Sequence, residues 1–457
     1  MFAKETYVQR RAILEKKFDT GLFLFLGNDE MGLNYQDNSF RFRQDSTFLY
    51  YFGLSTPGLA AIIDIDGNKE IIFGDELSMD DIVWTGVLPT LKEMSQSVGV
   101  AETMPSSAIS SYLQQAVLKG EAIHYLPPYR PEHKLKLSDW LGVPPIRQEG
   151  SATLIKAIVE QRSIKSDEEI AQIDKVCNIT ADMHLAAQTV LRPGLYEYEV
   201  SSALENVAFS AGCDLSFATI ATIHGQTLHN HYHTNKVKSG DLFLIDAGAE
   251  LPSGYAGDMS STIPVDKKFS TRQREMIEIQ NAMLTESVKA LHPGVPYMDV
   301  YDLAARVMVD GMKQLGLMKG NTEDAVHAGA HGLFFVHGLG HMMGLDVHDM
   351  ENLGEDYVGY RGLTRSKQFG RKSQRLAIPL EKGFVITVEP GIYFIPELID
   401  RWKAEEKFTD FVNYDKVETY KDFGGIRNEE DYLITEKGAR ILGKKVPFAP
   451  DEIEANR

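Results

Sequence analysis

Four carboxylates stand at or near the ends of short apolar runs. Asp246 closes Leu242-Phe243-Leu244-Ile245, and Glu389 closes Phe384-Val385-Ile386-Thr387-Val388. A charge at such a position is costly to bury unless it is paired or bound to a cation. Asp258 follows Asp246 by twelve residues, past the turn Pro252-Ser253-Gly254, and a hairpin centred near residue 252 or 253 sets the two carboxylates nearly opposite each other. Like charges that close call for a metal between them or a shared proton. Glu429 lies on GGIRNEEDYLIT, which reads as one more strand. Between the two sets comes HGLGHMMGLDVHD, with His337, His341 and His348. Each residue alone reads as a solvated turn acid or a hydrogen-bonded histidine; three histidines within twelve Gly-rich, apolar residues mark a site. Four carboxylates and an imidazole suit a pair of oxygen-preferring divalent ions, manganese, magnesium or iron(II), rather than a thiolate-type zinc. Two such ions roughly 3.5–4 Å apart activate water and polarise a carbonyl, which is hydrolytic chemistry.

Elements that could position these groups recur along the chain. LRPGLYEYEV at 191–200 and LHPGVPYMDV at 291–300 share Leu191/Leu291, Pro193/Pro293, Gly194/Gly294 and Val200/Val300, with Val207/Val307 beyond, at a constant offset of 100. Each copy reads as a helix, a Pro-Gly break and a second amphipathic helix. Gly240 precedes Asp246 by six residues and Gly383 precedes Glu389 by six, both across apolar strands. Two related halves, each of helices plus an antiparallel sheet, would bring equivalent strand positions together across a pseudo-two-fold axis. Ser166-Asp167-Glu168-Glu169 is a capping box opening the first helix, with Ile170, Ile173, Val176 and Cys177 at helical spacing behind it. The stretch before it alternates short strands with helices, including a hairpin of residues 60–67 followed by 70–74 with a DGN turn, and carries no catalytic cluster. The expected architecture is α+β: a smaller α/β domain over residues 1–157 and a catalytic domain of pseudo-two-fold halves over 158–457.

Composition narrows the function classes. With 47 basic and 65 acidic residues the formal charge is −18, against nucleic-acid and anionic-membrane partners. The 43% hydrophobic content fits a sizeable core, and two cysteines, Cys177 and Cys213, give no disulfide framework. The N-terminus is charged throughout and no stretch approaches a membrane span, so the expected location is the cytoplasm.

The motifs LIDAG, AGDMSST, HGLGHMMGLDVHD, TVEPGIY and GGIRNEED, in this order, resemble those of the pita-bread metallopeptidases of the aminopeptidase P and prolidase group. FRFRQDSTFLYYFGL at 40–54 is similar to the signature of that group's N-terminal domain. The resemblance implies that Asp246, Asp258, His341, Glu389 and Glu429 are ligands to two ions, usually Mn2+, with Asp258 and Glu429 bridging. It implies that His229, His337 and His348 shape the site and stabilise the reacting amide, with Glu389 also moving a proton, and that Arg427 supports the last ligand. It further implies cleavage of the bond before a proline in small peptides, and a homodimer or higher homo-oligomer. One departure is Asn428, where the group commonly has an aliphatic residue; on a strand its side chain points away from Glu429.

The substrate's length is read from two features. Arg375 matches an arginine that in prolidases grips the free proline carboxylate, and the long segment 393–424 resembles prolidases too; AGDMSSTIPV and the N-terminal domain are equally at home in aminopeptidase P. The expectation is an Xaa-Pro dipeptidase, with an Xaa-Pro aminopeptidase as the alternative. A non-catalytic peptide-binding relative or a metal-free creatinase-like hydrolase is disfavoured by the full ligand set, and methionine aminopeptidase by the N-terminal domain.

Overall fold

The computed structural model describes residues 2–457. It divides into two compact units, one running to Arg162 and including Glu351–Tyr357, the other comprising Ser163–Met350 and Val358–Arg457. The helix Ala152–Ser163 carries the chain through residue 157, so the break falls a few residues after the boundary expected from sequence. The return of 351–357 to the first unit had no sequence signal. No helix among the described residues is long and apolar enough to cross a membrane.

The first unit is built on a five-stranded sheet in the order Glu102–Met104, Lys69–Phe73, Ala60–Asp64, Leu22–Leu26, Ile123–Tyr125. Its centre is antiparallel and its two edge pairings are parallel. The expected hairpin is present, Asp64 pairing with Lys69 across the turn. One face buries Leu22, Leu24, Ile62, Ile71 and Phe73 against Leu113 and Leu137 of the flanking helices. In the 40–54 stretch, Asp45 caps the helix Ser46–Phe52 by accepting the Phe48 amide at 2.8 Å, and Gly53 ends it with φ +63°.

The second unit repeats one plan twice. The helix pairs Asp167–Val190 with Glu197–Ser210 and Thr271–Lys289 with Tyr297–Gln314 each begin on a capping box, at Ser166/Glu169 and Ser270/Gln273. After each first helix the Pro-Gly break turns at positive φ, +98° at Gly194 and +89° at Gly294. There the Gly194 amide donates to Val237 O, and the Val237 amide to Leu195 O; the Gly294 amide donates to Leu380 O, and the Leu380 amide to Val295 O. Val237 and Leu380 each stand three residues before a second positive-φ glycine, Gly240 and Gly383, which opens the strand leading to a site acid. The architecture is therefore the α+β arrangement of duplicated halves expected from sequence.

The strands differ in detail from the sequence reading. Leu242–Ala247 lies between Ile220–Thr222 and Met259–Pro264, and its register is centred on residue 253, so that Asp246 faces Ser260 while Asp258 stands just before its strand. The two acids are diagonal rather than opposite. The GGIRNEEDYLIT stretch is two strands, Gly425–Arg427 and Glu430–Ile434, pairing with Gly391–Tyr393 and Val385–Val388. Both pairings keep one register, Val388 opposite Glu430 and Gly391 opposite Arg427, so Glu389 faces Glu429 and Pro390 faces Asn428 across the interruption. Pro390 has no amide hydrogen to offer a ladder. The Glu389 amide instead donates to Leu339 O at 2.8 Å and the Glu429 amide to Ser260 O at 3.0 Å. The ladder breaks because its donors are sent to the histidine segment and to the other half.

The histidine segment ends on a buried ion pair. Lys165 Nζ donates to Asp349 Oδ2 at 2.8 Å, and both side chains are 1% exposed. The Asp349 amide closes the loop onto Met342 O, and Met350 follows in a left-handed conformation at φ +64°. Removing one partner of such a pair strands the other charge. Lys165→Met should therefore destabilise the second unit by about 3–5 kcal/mol. Trp402 is the one tryptophan of that unit, so urea denaturation of a Trp84→Phe/Trp140→Phe background, followed by Trp402 fluorescence, reads the loss. A shift below 1 kcal/mol would mean that Asp349 is neutral or otherwise compensated.

Candidate active site

All ten residues singled out from sequence, Asp246, Asp258, His341, Glu389, Glu429, His229, His337, His348, Arg375 and Arg427, line one cavity of about 550 Å³ within the second unit. Its remaining wall is largely apolar, with Phe217, Ile220, Leu228, Val336 and Val347.

The tightest group is Asp258, His341 and Glu429, one donor atom of each lying within 4.8 Å of the others. His341 Nε2 is 3.3 Å from Asp258 Oδ2 and 3.9 Å from Glu389 Oε1. Its Nδ1 lies 3.1 Å from Met342 O, a carbonyl that can only accept, so Nδ1 carries the hydrogen and Nε2 presents a lone pair to the carboxylates. Asp246 and Glu389 line the same cavity outside this triad. Asp246 Oδ2 takes Arg427 Nη2 at 2.5 Å, while Asp246 Oδ1 is buried with no hydrogen-bond partner. Glu429 repeats the pattern, Oε2 accepting Ser260 Oγ at 2.7 Å and Oε1 buried without a partner. Orphaned carboxylate oxygens on opposite halves of the duplication, lining the cavity into which His341 presents its lone pair, fit a cation site.

The protonation states carry the same message. Burial, then the charge of Asp246, pushes Asp258 up to about 8. Burial pushes Glu389 up to about 7, with His341 and Arg427 pulling the other way. Glu429 is raised well above the carboxylate range by burial and then by Asp258, Glu389 and Asp246. With no cation these acids hold protons because the arrangement is too crowded with negative charge to ionise fully.

Three residues complete this set that the sequence reading passed over. Tyr393 OH accepts from Arg427 Nη1 at 2.8 Å and lies 2.8 Å from His337 Nε2. His337 Nδ1 is 2.6 Å from Gly338 O and must donate to it, so Nε2 accepts the Tyr393 hydroxyl hydrogen. Burial, then Arg427, depresses His337 to about 3, which keeps it neutral. Ser260 joins Arg427 Nε at 2.8 Å to Glu429. Asp431 holds the back of Asp258, its Oδ2 accepting the Asp258 amide and the Cys177 thiol, each at 3.1 Å. Ser260 and Tyr393 lie inside the quoted AGDMSST and TVEPGIY stretches, and register counting from Asp246 would have pointed to Ser260. Asp431 closes the GGIRNEED stretch, but nothing in that stretch marks it as the acceptor of the Asp258 amide.

The histidines divide. His348 stacks on His341 with ring centroids 3.8 Å apart and planes at 19°. His337 Nδ1 is 3.6 Å from Glu389 Oε2. His229 lines the same cavity, its ring centroid 6.4 Å from the near-parallel ring of His231, and burial lowers its pKa. Arg375 lies at the rim with Ser373; between them buried Gln374 accepts the Leu339 amide at 2.6 Å, tying that rim to the histidine segment. Asn428 points away from Glu429, as expected from sequence, into a polar cluster on the helix Thr271–Lys289.

Comparison with known proteins gives these features a family. Residues 171–436 match the profile of metallopeptidase family M24, and residues 7–124 that of the aminopeptidase P N-terminal domain. The chain is 30% identical over 471 aligned positions to the Xaa-Pro aminopeptidase of Escherichia coli (strain K12), covering 99% of this chain and 97% of that one. It is 28% identical over 440 positions to the Xaa-Pro dipeptidase of Homo sapiens, covering 94% and 87%. Among solved structures it is similar to the proline aminopeptidase P II of Yersinia pestis (TM-score 0.83, 28% identity, 100% and 99% coverage). It is also similar to E. coli aminopeptidase P with the inhibitor Pro-Leu (TM-score 0.81, 29% identity, 100% and 98% coverage). With more than half of its length matched by the M24 profile and the N-terminal profile ahead of it, the chain belongs to metallopeptidase family M24.

Proposed function

We propose that this metallopeptidase hydrolyses the bond between an N-terminal residue and a following proline, with free Xaa-Pro dipeptides as its substrates. The observation that carries the reading is the carboxylate set around His341, with buried unpartnered oxygens on Asp246 and Glu429, both of which line a cavity large enough for a di- or tripeptide. Asp246, Asp258, His341, Glu389 and Glu429 would hold two divalent ions of the oxygen-preferring kind, manganese being the one that the resemblance to the aminopeptidase P and prolidase group implies. Such ions, when bound, supply Lewis acidity at the scissile carbonyl and a water acidic enough to attack near neutral pH.

The chain's own groups do the rest. Glu389, lining the cavity beside His337 and His341, takes up the proton released by the attacking water and passes it to the departing proline nitrogen. His348, held face to face against His341, donates to the oxyanion. Arg427, Tyr393 and His337 form a fixed chain that orients Asp246 on one side and the neutral His337 ring on the other. Proline lacks the amide hydrogen that most peptidases grip, so the apolar wall must select its ring. Buried Cys177 and Cys213, both free thiols, suit a reducing cytoplasm. A homodimer is the proposed assembly.

Glu429→Gln tests the metal reading, since it removes a charge that the ions offset. Bound metal should fall below that of the wild type and Ala-Pro hydrolysis should disappear while circular dichroism is unchanged. Near-normal turnover of the variant after exhaustive chelation would end the two-ion proposal.

Proton release gives a second test. Asp258 and Glu389 are raised to about 8 and about 7 in the metal-free protein, whereas the unfolded chain releases these protons near pH 4, on the order of ordinary carboxyls. The metal-free fold therefore binds more protons than the unfolded chain and should lose stability as pH rises from about 4 towards 8. Ions must displace the protons, so apparent Mn2+ affinity should climb between pH 6 and 8. Calorimetry in buffers of different ionisation enthalpy should detect the released protons; a buffer-independent heat would contradict the assignment.

The substrate's length turns on Arg375. A charge-assisted grip on the proline carboxylate is worth roughly 1.5–3 kcal/mol. Arg375→Ala should then lower kcat/KM for Ala-Pro by about 10- to 150-fold and leave Ala-Pro-Ala unchanged or improved. Equal cleavage of both peptides by the wild type, with no effect of the substitution, would make the enzyme an Xaa-Pro aminopeptidase, the activity carried in the names of its bacterial relatives.

A further inference from the structure

The interruption between Gly391–Tyr393 and Gly425–Arg427 on one side and Val385–Val388 and Glu430–Ile434 on the other leaves two buried carbonyls, Pro390 O and Asn428 O, facing each other where the ladder has lost its donors. Both are satisfied by a single side chain from outside the sheet. Gln280, fully buried on the helix Thr271–Lys289, donates Nε2 to Pro390 O at 2.7 Å and to Asn428 O at 3.2 Å. Because carbonyls only accept, the amide group of Gln280 must present its nitrogen here and turn Oε1 the other way. That oxygen receives Asn428 Nδ2 at 2.7 Å. Asn428 is locked in turn: its Oδ1 accepts the Thr262 amide at 2.9 Å, and its Nδ2 also reaches Asn281 Oδ1 at 2.9 Å, which is itself fixed by a bond from Asn281 Nδ2 to Phe448 O at 2.6 Å. Each member of the network has its partner, which is the condition under which a buried polar cluster rigidifies its surroundings.

We propose that Gln280, oriented by Asn428, is a positioning residue that sets the spacing of Glu389 and Glu429. Its two acceptors are the carbonyl of the residue after Glu389 and that of the residue before Glu429, so one amide bridges both acid-bearing backbones on the side away from the cavity. The amides of Glu389 and Glu429 already point elsewhere, to Leu339 and Ser260. Between the two flanking strand pairings, the Gln280 amide is the group that ties the two joints to each other. Asn428, the position where this chain departs from the aliphatic pattern of the group it resembles, then has a role: it keeps the Gln280 amide from turning over. The inference rests on the metallopeptidase reading, since the spacing matters only if both acids share the work of holding cations.

The test is a titration of metal-free protein with Mn2+ by calorimetry, alongside steady-state Ala-Pro hydrolysis and thermal melts. Gln280→Met keeps the volume and removes the donor. Mn2+ affinity of one of the two ions should fall at least about 10-fold, and kcat at limiting Mn2+ should fall by a similar factor, with KM within about twofold of the wild type and partial recovery of kcat at high Mn2+. Asn428→Ile, which frees the Gln280 amide to turn, should show the same pattern more weakly. If Gln280→Met does not fold, Gln280→Glu, which retains an acceptor for Asn428 and loses the donor when ionised, is read the same way. A lower melting temperature with wild-type Mn2+ affinity and kcat in these variants would overturn the proposal, leaving the network a purely structural one. Failure of the wild type itself to bind Mn2+ or cleave Ala-Pro would instead remove the metallopeptidase reading on which it rests.

Discussion

The second unit is organised around one electrostatic problem: four carboxylates share a cavity in which the buried cation set against them is Arg427. Its guanidinium meets Asp246, the Ser260 hydroxyl and Tyr393, so its direct ion pair goes to one acid while its charge only partly offsets the others. Asp258, Glu389 and Glu429 are left to hold protons or to take up cations. A buried carboxylate with neither would cost several kcal/mol. The apolar strands, the duplicated helices and the closely packed glycines can be read as the apparatus that forces these groups together against their repulsion.

Duplication is an economical way to build such a site. Each half sends a strand from a positive-φ glycine, Gly240 or Gly383, to an acid at its far end, Asp246 or Glu389. Each then returns with a second acid, Asp258 or Glu429. The halves meet where Ser260 bridges to Glu429 and Thr262 exchanges bonds with Arg427. The histidine segment has no counterpart of this kind. It is threaded between the halves by the Leu339 carbonyl, the Thr387 contacts of His341 and the buried Lys165–Asp349 pair. Gly340 sits so close to Thr387 O that any Cβ would collide with it, which explains the glycine inside a row of histidines.

What was legible in the sequence follows from this logic. Acids at the ends of apolar strands stand out because composition alone makes them anomalous, and the repeat announced itself through Pro-Gly pairs whose φ values only glycine adopts freely. The hairpin centre was within one residue, yet that residue decides whether Asp246 faces Asp258 or Ser260, and side-chain pairing is sensitive to such a shift. Glu429 was read on one strand running through GGIRNEEDYLIT; the break comes opposite Pro390, which has no amide hydrogen for the ladder and lies on a partner segment distant in sequence. Tyr393, Asp431 and Gln280 were missed for a common reason. Each acts on the site through side-chain hydrogen bonds to residues distant in sequence, and no periodicity or spacing encodes such bonds.

Placing the acids at interruptions rather than inside continuous strands has a mechanical consequence. Within a regular ladder, a residue's amide and carbonyl are committed to its neighbour, and its side chain stands at the pleat's fixed angle. At Glu389 and Glu429 the amides are released to Leu339 and Ser260, so each carboxylate is aimed by a bond to a different part of the unit. The aim of Glu389 is coupled to the histidine segment, and that of Glu429 to the opposite half. A displacement of either partner would then be felt at the acids before it was felt in the core. Rigidity at these joints has to come from outside the ladder, and the side chains that supply it belong to the site as much as the acids themselves do.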